Sequence, residues 1–248
     1  MGAKYYVGTS GWVYPHWRNV FYPPKLARSK WLEFYTGHLS SVELNNSFYR
    51  LPSERSFSNW RDTSPDGFRY AVKVSRFITH MKRLKDVAEP LEIFINRARN
   101  LSEKLGPLLY QLPPNMHRND ELLESFLAVL PHEFRHVIEF RHETWFDDKV
   151  FDTLRRHNIG FCVFDMPGLP CPLVATSDFA YIRFHGSSML YLSSYSDDEL
   201  DEWAKRIVLL AENLNAIYIY FNNDAEGFAV RNAQTLSRKL RENSFMSN

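Results

Sequence analysis

The sequence predicts an α/β barrel of the TIM type, (β/α)8, with eight parallel strands ringed by helices. Three observations carry that expectation. Short apolar runs alternate with amphipathic segments from one end of the chain to the other, as in a parallel sheet with crossover helices. The runs number eight, the count at which such a sheet closes. The 248 residues have the length of one such barrel and are read as a single domain over residues 1–248.

The eight runs are Tyr5–Gly8, Val42–Leu44, Phe68–Val74, Pro107–Leu112, His136–Phe140, Gly160–Phe164, Phe179–Phe184 and Ala216–Phe221. Ser29 is placed to start a helix through Trp31–Tyr35, and Ser53 one through Phe57 and Trp60. Leu91, Phe94, Ile95, Ala98, Leu101 and Leu105 have the spacing of one buried helical stripe. Asn119 and Asp147 open the next two helices. Ser196 with Glu199 forms a capping box before Leu200, Trp203, Ala204 and Ile207. Asn223 or Asp224 starts the last helix. Between Asp165 and Phe179, MPGLPCPLVATS holds three prolines, so the sixth helix is expected to be missing or reduced to a turn. The last residues, Asn243–Asn248, are expected to fray.

A formal net charge of +1 gives no global case for nucleic acid or a membrane surface, so any preference for an anion must be local. Two cysteines, Cys162 and Cys171, make neither a disulfide framework nor a zinc spacing. No apolar stretch approaches a membrane span, and MGAKYYVGTSGW has neither the pattern of a signal peptide nor that of a myristoylation site. A cytoplasmic protein is expected. Nothing in the sequence sets an oligomeric state.

Side chains alternate along a strand, so parity sorts barrel-facing from helix-facing positions. By that rule Glu43, Lys73, Gln111, Glu139, Arg141, Asp165, Arg183, His185 and Asn222 point inward near the C-terminal strand ends, with Asn45 beside them. Catalysis in such barrels occurs at that end. Burying charge costs several kcal/mol unless it is paired, so this near-neutral set is expected to be mutually compensated. The favoured partner for Lys73 is Glu43 or Glu139.

With these residues in hand, the chain resembles the YecE-like family, domain of unknown function 72. The resemblance rests on VGTSGWVYPHW with FYPP, SSVELNNSFYRLPS, FRYAVKVSRFITH, LGPLLYQLPPN, VIEFRHETWF, DFAYIRFHG and YIYFNND, essentially the whole chain. It implies a TIM-type barrel related to the endonuclease IV and xylose-isomerase-like barrels. It implies a place for a site and no particular reaction.

The expected chemistry is that of a small-molecule enzyme, a hydrolase, lyase or isomerase, acting on an anionic sugar-like or phosphorylated compound. Lys73, Arg141 and Arg183 would bind the anion, since guanidinium forks match carboxylate and phosphate. Gln111, Asn45, Asn222, Ser10, Trp12, Tyr14 and His80 would complete the binding surface. Glu43, Glu139, His185 and Asp165 would carry proton transfer or orient the substrate, and Gly186 would leave the backbone beside His185 open to a ligand. Glu43, Glu139, Asp165 and His185 could hold a divalent metal. Three cations at the same mouth would repel it, and no cofactor is expected. Schiff-base chemistry at Lys73 is weighed below its ion pair. A metal-dependent nucleic-acid phosphodiesterase of endonuclease IV type and a non-catalytic ligand-binding module are the alternatives.

Overall fold

Each of the eight apolar runs forms a strand in the computed structural model, which describes residues 2–246. The strands are β1 (Lys4–Thr9), β2 (Ser41–Leu44), β3 (Arg69–Lys73), β4 (Leu105–Gln111), β5 (His136–Glu139), β6 (Gly160–Asp165), β7 (Phe179–Phe184) and β8 (Ala216–Phe221). All pairings are parallel, and the order β1-β8-β7-β6-β5-β4-β3-β2 curls one sheet into a nearly closed TIM-type barrel. The helices are α1 (Trp31–Thr36), α2 (Asn46–Tyr49), α3 (Glu54–Thr63), α4 (Ala88–Ala98), α5 (Asp120–Leu127), α6 (Asp148–Arg156), α7 (Asp197–Ala211) and α8 (Phe228–Met246). No helix separates β6 from β7, as the prolines there require. No helix among the described residues is long and apolar enough to cross a membrane.

Caps set most helix starts where the sequence puts them. The side chains of Ser53, Asn119 and Asp147 accept from Ser56 N, Leu122 N and Lys149 N, and Ser196 closes its capping box with Glu199. Ser29 is different, because it lies inside a 3₁₀ turn (Arg28–Lys30) ahead of α1. The stripe of α4 ends at Ala98, and Leu105 instead opens β4 after a 3₁₀ segment. A 3₁₀ turn at Ala225–Gly227 delays α8 to Phe228. That helix continues past Asn243, where fraying was expected; residues 247–248 lie outside the described residues.

Two apolar layers follow from strand parity. Val42, Leu44, Val72, Tyr110, Ile138, Ile182 and Ile219 face the helices, while Ala71, Leu109, Val137, Cys162, Tyr181, Tyr218 and Tyr220 fill the barrel. Side chains lace the seam between the end strands, β1 and β2. Ser40 Oγ accepts from Val7 N at 3.0 Å. The Tyr35 hydroxyl accepts from Thr9 N and donates to Ser41 O, both at 2.9 Å. The backbones come so close here that a Cβ on Gly8 would lie 1.9 Å from Ser41 O, so only glycine fits.

Candidate active site at the barrel mouth

The floor of the mouth is a fully buried ionic layer. Arg183 on β7 spans the barrel and donates from Nη2 to Glu43 Oε1 at 2.9 Å and from Nη1 to Glu139 Oε2 at 2.6 Å. Glu43 also accepts from Ser10 Oγ (2.8 Å), Tyr181 OH (2.6 Å) and Asn45 Nδ2 (3.0 Å). The Arg141 Nε donates to Glu139 Oε1, its Nη2 donates to His185 Nε2 at 2.9 Å, and its plane lies against the Phe164 ring. Burial alone would raise both carboxyls. Arg183 and Tyr181 outweigh it at Glu43, as Arg141 and Arg183 do at Glu139, so both stay below the usual carboxylate range. Neither is a proton donor at neutral pH.

His185 belongs to the same floor. A guanidinium only donates, so Nε2 accepts and the ring is neutral with its proton on Nδ1, and that proton requires the Asn222 amide, 3.2 Å away, to turn its oxygen towards the ring. Burial, then Arg183 and Arg141, push its pKa far down. The ring is therefore a neutral bracket between Arg141 and Asn222. Gly186 does not expose backbone to a ligand. Its φ is +111°, and a Cβ there would meet Met189 O at 2.4 Å, so the glycine serves the turn of its own loop.

Above the floor opens a cavity of about 620 Å³, lined by Ser10, Tyr14, His16, Asn45, Tyr49, Lys73, Gln111, Arg183, Tyr191, Leu192, Asn222, Asp224 and Ala225. Lys73 is the odd group in it. Its expected ion pair with Glu43 or Glu139 is absent, because guanidinium groups hold both carboxylates. Among the described residues its ammonium has no carboxylate partner and rests 4.2 Å from the centre of the Phe48 ring. Burial, reinforced by Arg183 and only partly offset by Glu139 and Glu43, lowers its pKa to about 8. Asn45 Oδ1 and Arg183 Nε are also buried, without partners among the described residues. At the rim, Asp224 accepts from Trp17 Nε1 at 2.7 Å and lies 3.0 Å from His16 Nε2. Burial raises its carboxyl to about 6.

Comparison with known proteins places the chain in a family. The profile described as "Protein of unknown function DUF72" matches residues 6–247. The chain belongs to the DUF72 family. It is 26% identical over 270 residues to the UPF0759 protein YunF of Bacillus subtilis, covering 95% of this chain and 94% of that one. A DUF72 family protein from Thermotoga maritima superposes with a TM-score of 0.88 at 33% identity, over 96% of this chain and 99% of that one. One from Enterococcus faecalis gives 0.83 at 19%, over 96% and 95%, and shares the fold.

In this DUF72 barrel, eight of the nine residues expected to face inward do so. Asp165 does not. Cys162 fills the interior, with its Sγ 3.6 Å from Glu139 Oε2, so parity turns Asp165 outward to Tyr195, Trp203 and Arg206 on the α7 side. Glu43, Glu139, Asp165 and His185, the residues weighed as metal ligands and disfavoured, are therefore not brought together. No group of three or more His, Cys, Asp or Glu among the described residues has the geometry to hold a metal. Ser10, Tyr14, Asn45, Lys73, Gln111, Arg183 and Asn222 line the DUF72 cavity as expected. Trp12 lines an adjoining cleft against Trp60, and His80 packs on Phe48 behind Lys73. Sequence reasoning missed the pairing of His16 with Asp224, which needs two loops more than 200 residues apart to meet.

Proposed function

We propose that the barrel mouth binds and transforms a small, polar, anionic metabolite, sugar-like or phosphorylated, in a hydrolase, lyase or isomerase reaction. The observation that carries this is Lys73, a cation facing a cavity of metabolite size with its natural counter-ions already taken. Two carboxylates meet three cations in and above the floor, and the surplus charge falls on Lys73. Desolvated charge without a partner is costly, and an anionic ligand supplies that partner. The Asn45 oxygen, Gln111, Asn222, Ser10 and Tyr14 offer the hydrogen bonds a hydroxylated compound needs. Arg141, Glu43, Glu139 and His185 hold this lining in place from beneath.

Calorimetry with ribose 5-phosphate, inorganic phosphate and ribose tests the reading. Ribose 5-phosphate should bind the wild type more tightly than ribose, and Lys73→Met should lose at least tenfold in affinity for it, about 1.4 kcal/mol. Equal binding of the phosphate ester by the two proteins would remove the basis of the proposal.

A further inference from the structure

We infer that Lys73 is a nucleophilic amine that forms an iminium with an aldehyde or ketone carrying a phosphate or carboxylate group. This rests on the reading of the mouth as an anion site and adds a substrate class and a covalent step to it.

A lysine kept only as a counter-ion sits on a carboxylate. Two carboxylates lie near enough to influence Lys73, yet Arg183 and Arg141 take both. The Lys73 side chain stands at the C-terminal end of β3, its ammonium against Phe48, and lines the cavity. The strand end fixes its position, and among the described residues no hydrogen bond holds its ammonium, which leaves the nitrogen lone pair available once the proton is gone. Arg183, pinned beneath it, favours the uncharged amine. With a pKa of about 8, it carries roughly two hundred times more free amine at neutral pH than an ordinary lysine at 10.4.

The step balances without an oxidant or reductant. The amine lone pair attacks the carbonyl carbon, a C–N bond forms, and the carbonyl π pair moves to oxygen. A nitrogen proton passes to that oxygen to give a carbinolamine. The oxygen takes a second proton, leaves as water, and the nitrogen lone pair closes the C=N bond. The iminium withdraws electrons from the adjacent carbon, which serves bond cleavage or isomerisation next to the carbonyl. The proton that the ammonium gives up is the one the departing water takes, so the iminium restores the positive charge and the anionic group is again compensated. Asp224, with His16 beside it, lines the same cavity and is placed for the proton transfers.

Sodium cyanoborohydride reduces an iminium to a stable secondary amine and so records it. The full chain would be treated at pH 7.5 with glyceraldehyde 3-phosphate, dihydroxyacetone phosphate or pyruvate, and mapped by peptide mass spectrometry. With at least one probe, one adduct per chain should form on Lys73, about a hundredfold faster than on exposed lysines, and inorganic phosphate should slow it. Lys73→Arg, which keeps the charge and loses the nucleophile, should still bind ribose 5-phosphate but yield no fast adduct. Labelling spread evenly over the lysines, or none at Lys73 with all three probes, overturns the iminium. If Lys73→Met still loses ribose 5-phosphate binding in that case, the anion site stands without it. If it does not, both readings fall.

Discussion

The floor and the wall of the mouth are built from the same kinds of residue and differ in one respect. On the floor, each carboxylate oxygen of Glu43 and Glu139 has a donor and both Arg183 amino groups are engaged, and what is left over is Arg183 Nε, on a residue that also lines the cavity, without an acceptor among the described residues. On the wall, among the described residues, Lys73 lacks a carboxylate and Asn45 Oδ1 lacks a donor, although Asn45 stands two residues after Glu43 and Lys73 two residues after Ala71, the strand partner of Glu43. A polar group whose needs the fold meets belongs to the architecture. One held out of water with its needs unmet is held for something that arrives later. The carboxylates first expected to do chemistry are thus the frame, and the lysine expected to be a counter-ion is the reactive candidate.

The contrast breaks most directly at Arg183. Arg183→Met should cost about 3–5 kcal/mol in denaturant unfolding, because it leaves Glu43 a buried charge without its guanidinium. The pH dependence should also change sign. In the wild type, both carboxyls sit below the ordinary 4.5, so their contribution is present above that value and is lost as pH falls through the folded pKa values. In the variant, burial should raise the Glu43 pKa above 4.5, and stability should increase between pH 7 and 5. A variant within 1 kcal/mol of wild type would mean the floor is not structural.

Lys73→Met should act oppositely, weakening ligand binding while raising unfolding stability at neutral pH, because it removes a desolvated ammonium that lacks a carboxylate. The wild type should gain stability as pH rises from about 8, where folded Lys73 loses its proton, towards 10.5, where the unfolded lysine does. Lys73→Met should flatten that rise, and identical profiles would show the ammonium to be well solvated. Asn45→Ala should have the smallest effect, weakening the binding of a hydroxylated ligand by about 1 kcal/mol in calorimetry.

The fold was legible because strands buried on both faces read as apolar runs, and an inward polar residue at the end of a run stands out against them. Glu43, Glu139, Arg183 and His185 could be found that way. Asp165 could not: GFCVFD is apolar on both faces, so the pattern does not say whether Cys162 or Val163 faces the interior. The roles within the site were hidden for a different reason. One arginine can serve two carboxylates, and once Arg183 does so the supposed partner of Lys73 is gone. Composition gives the charges, and only geometry gives the pairing. The meeting of His16 and Asp224 depends on irregular loops, and the short α2 that brings Phe48 beneath the lysine has no periodicity to detect.

The laced seam bears on how the chain folds. The backbone ladder of β1 is with β8, where Lys4 to Thr9 pair with Ala216 to Phe221. On the ribosome, β1 must wait for β8 before it gains a main-chain partner, with side-chain bonds such as those of Ser40, Tyr35 and Ser10 to hold it to β2 meanwhile. Closure is then a late, long-range event, slow by topology. Until β8 emerges, β1 is an unpaired edge available to chaperones or to its neighbours.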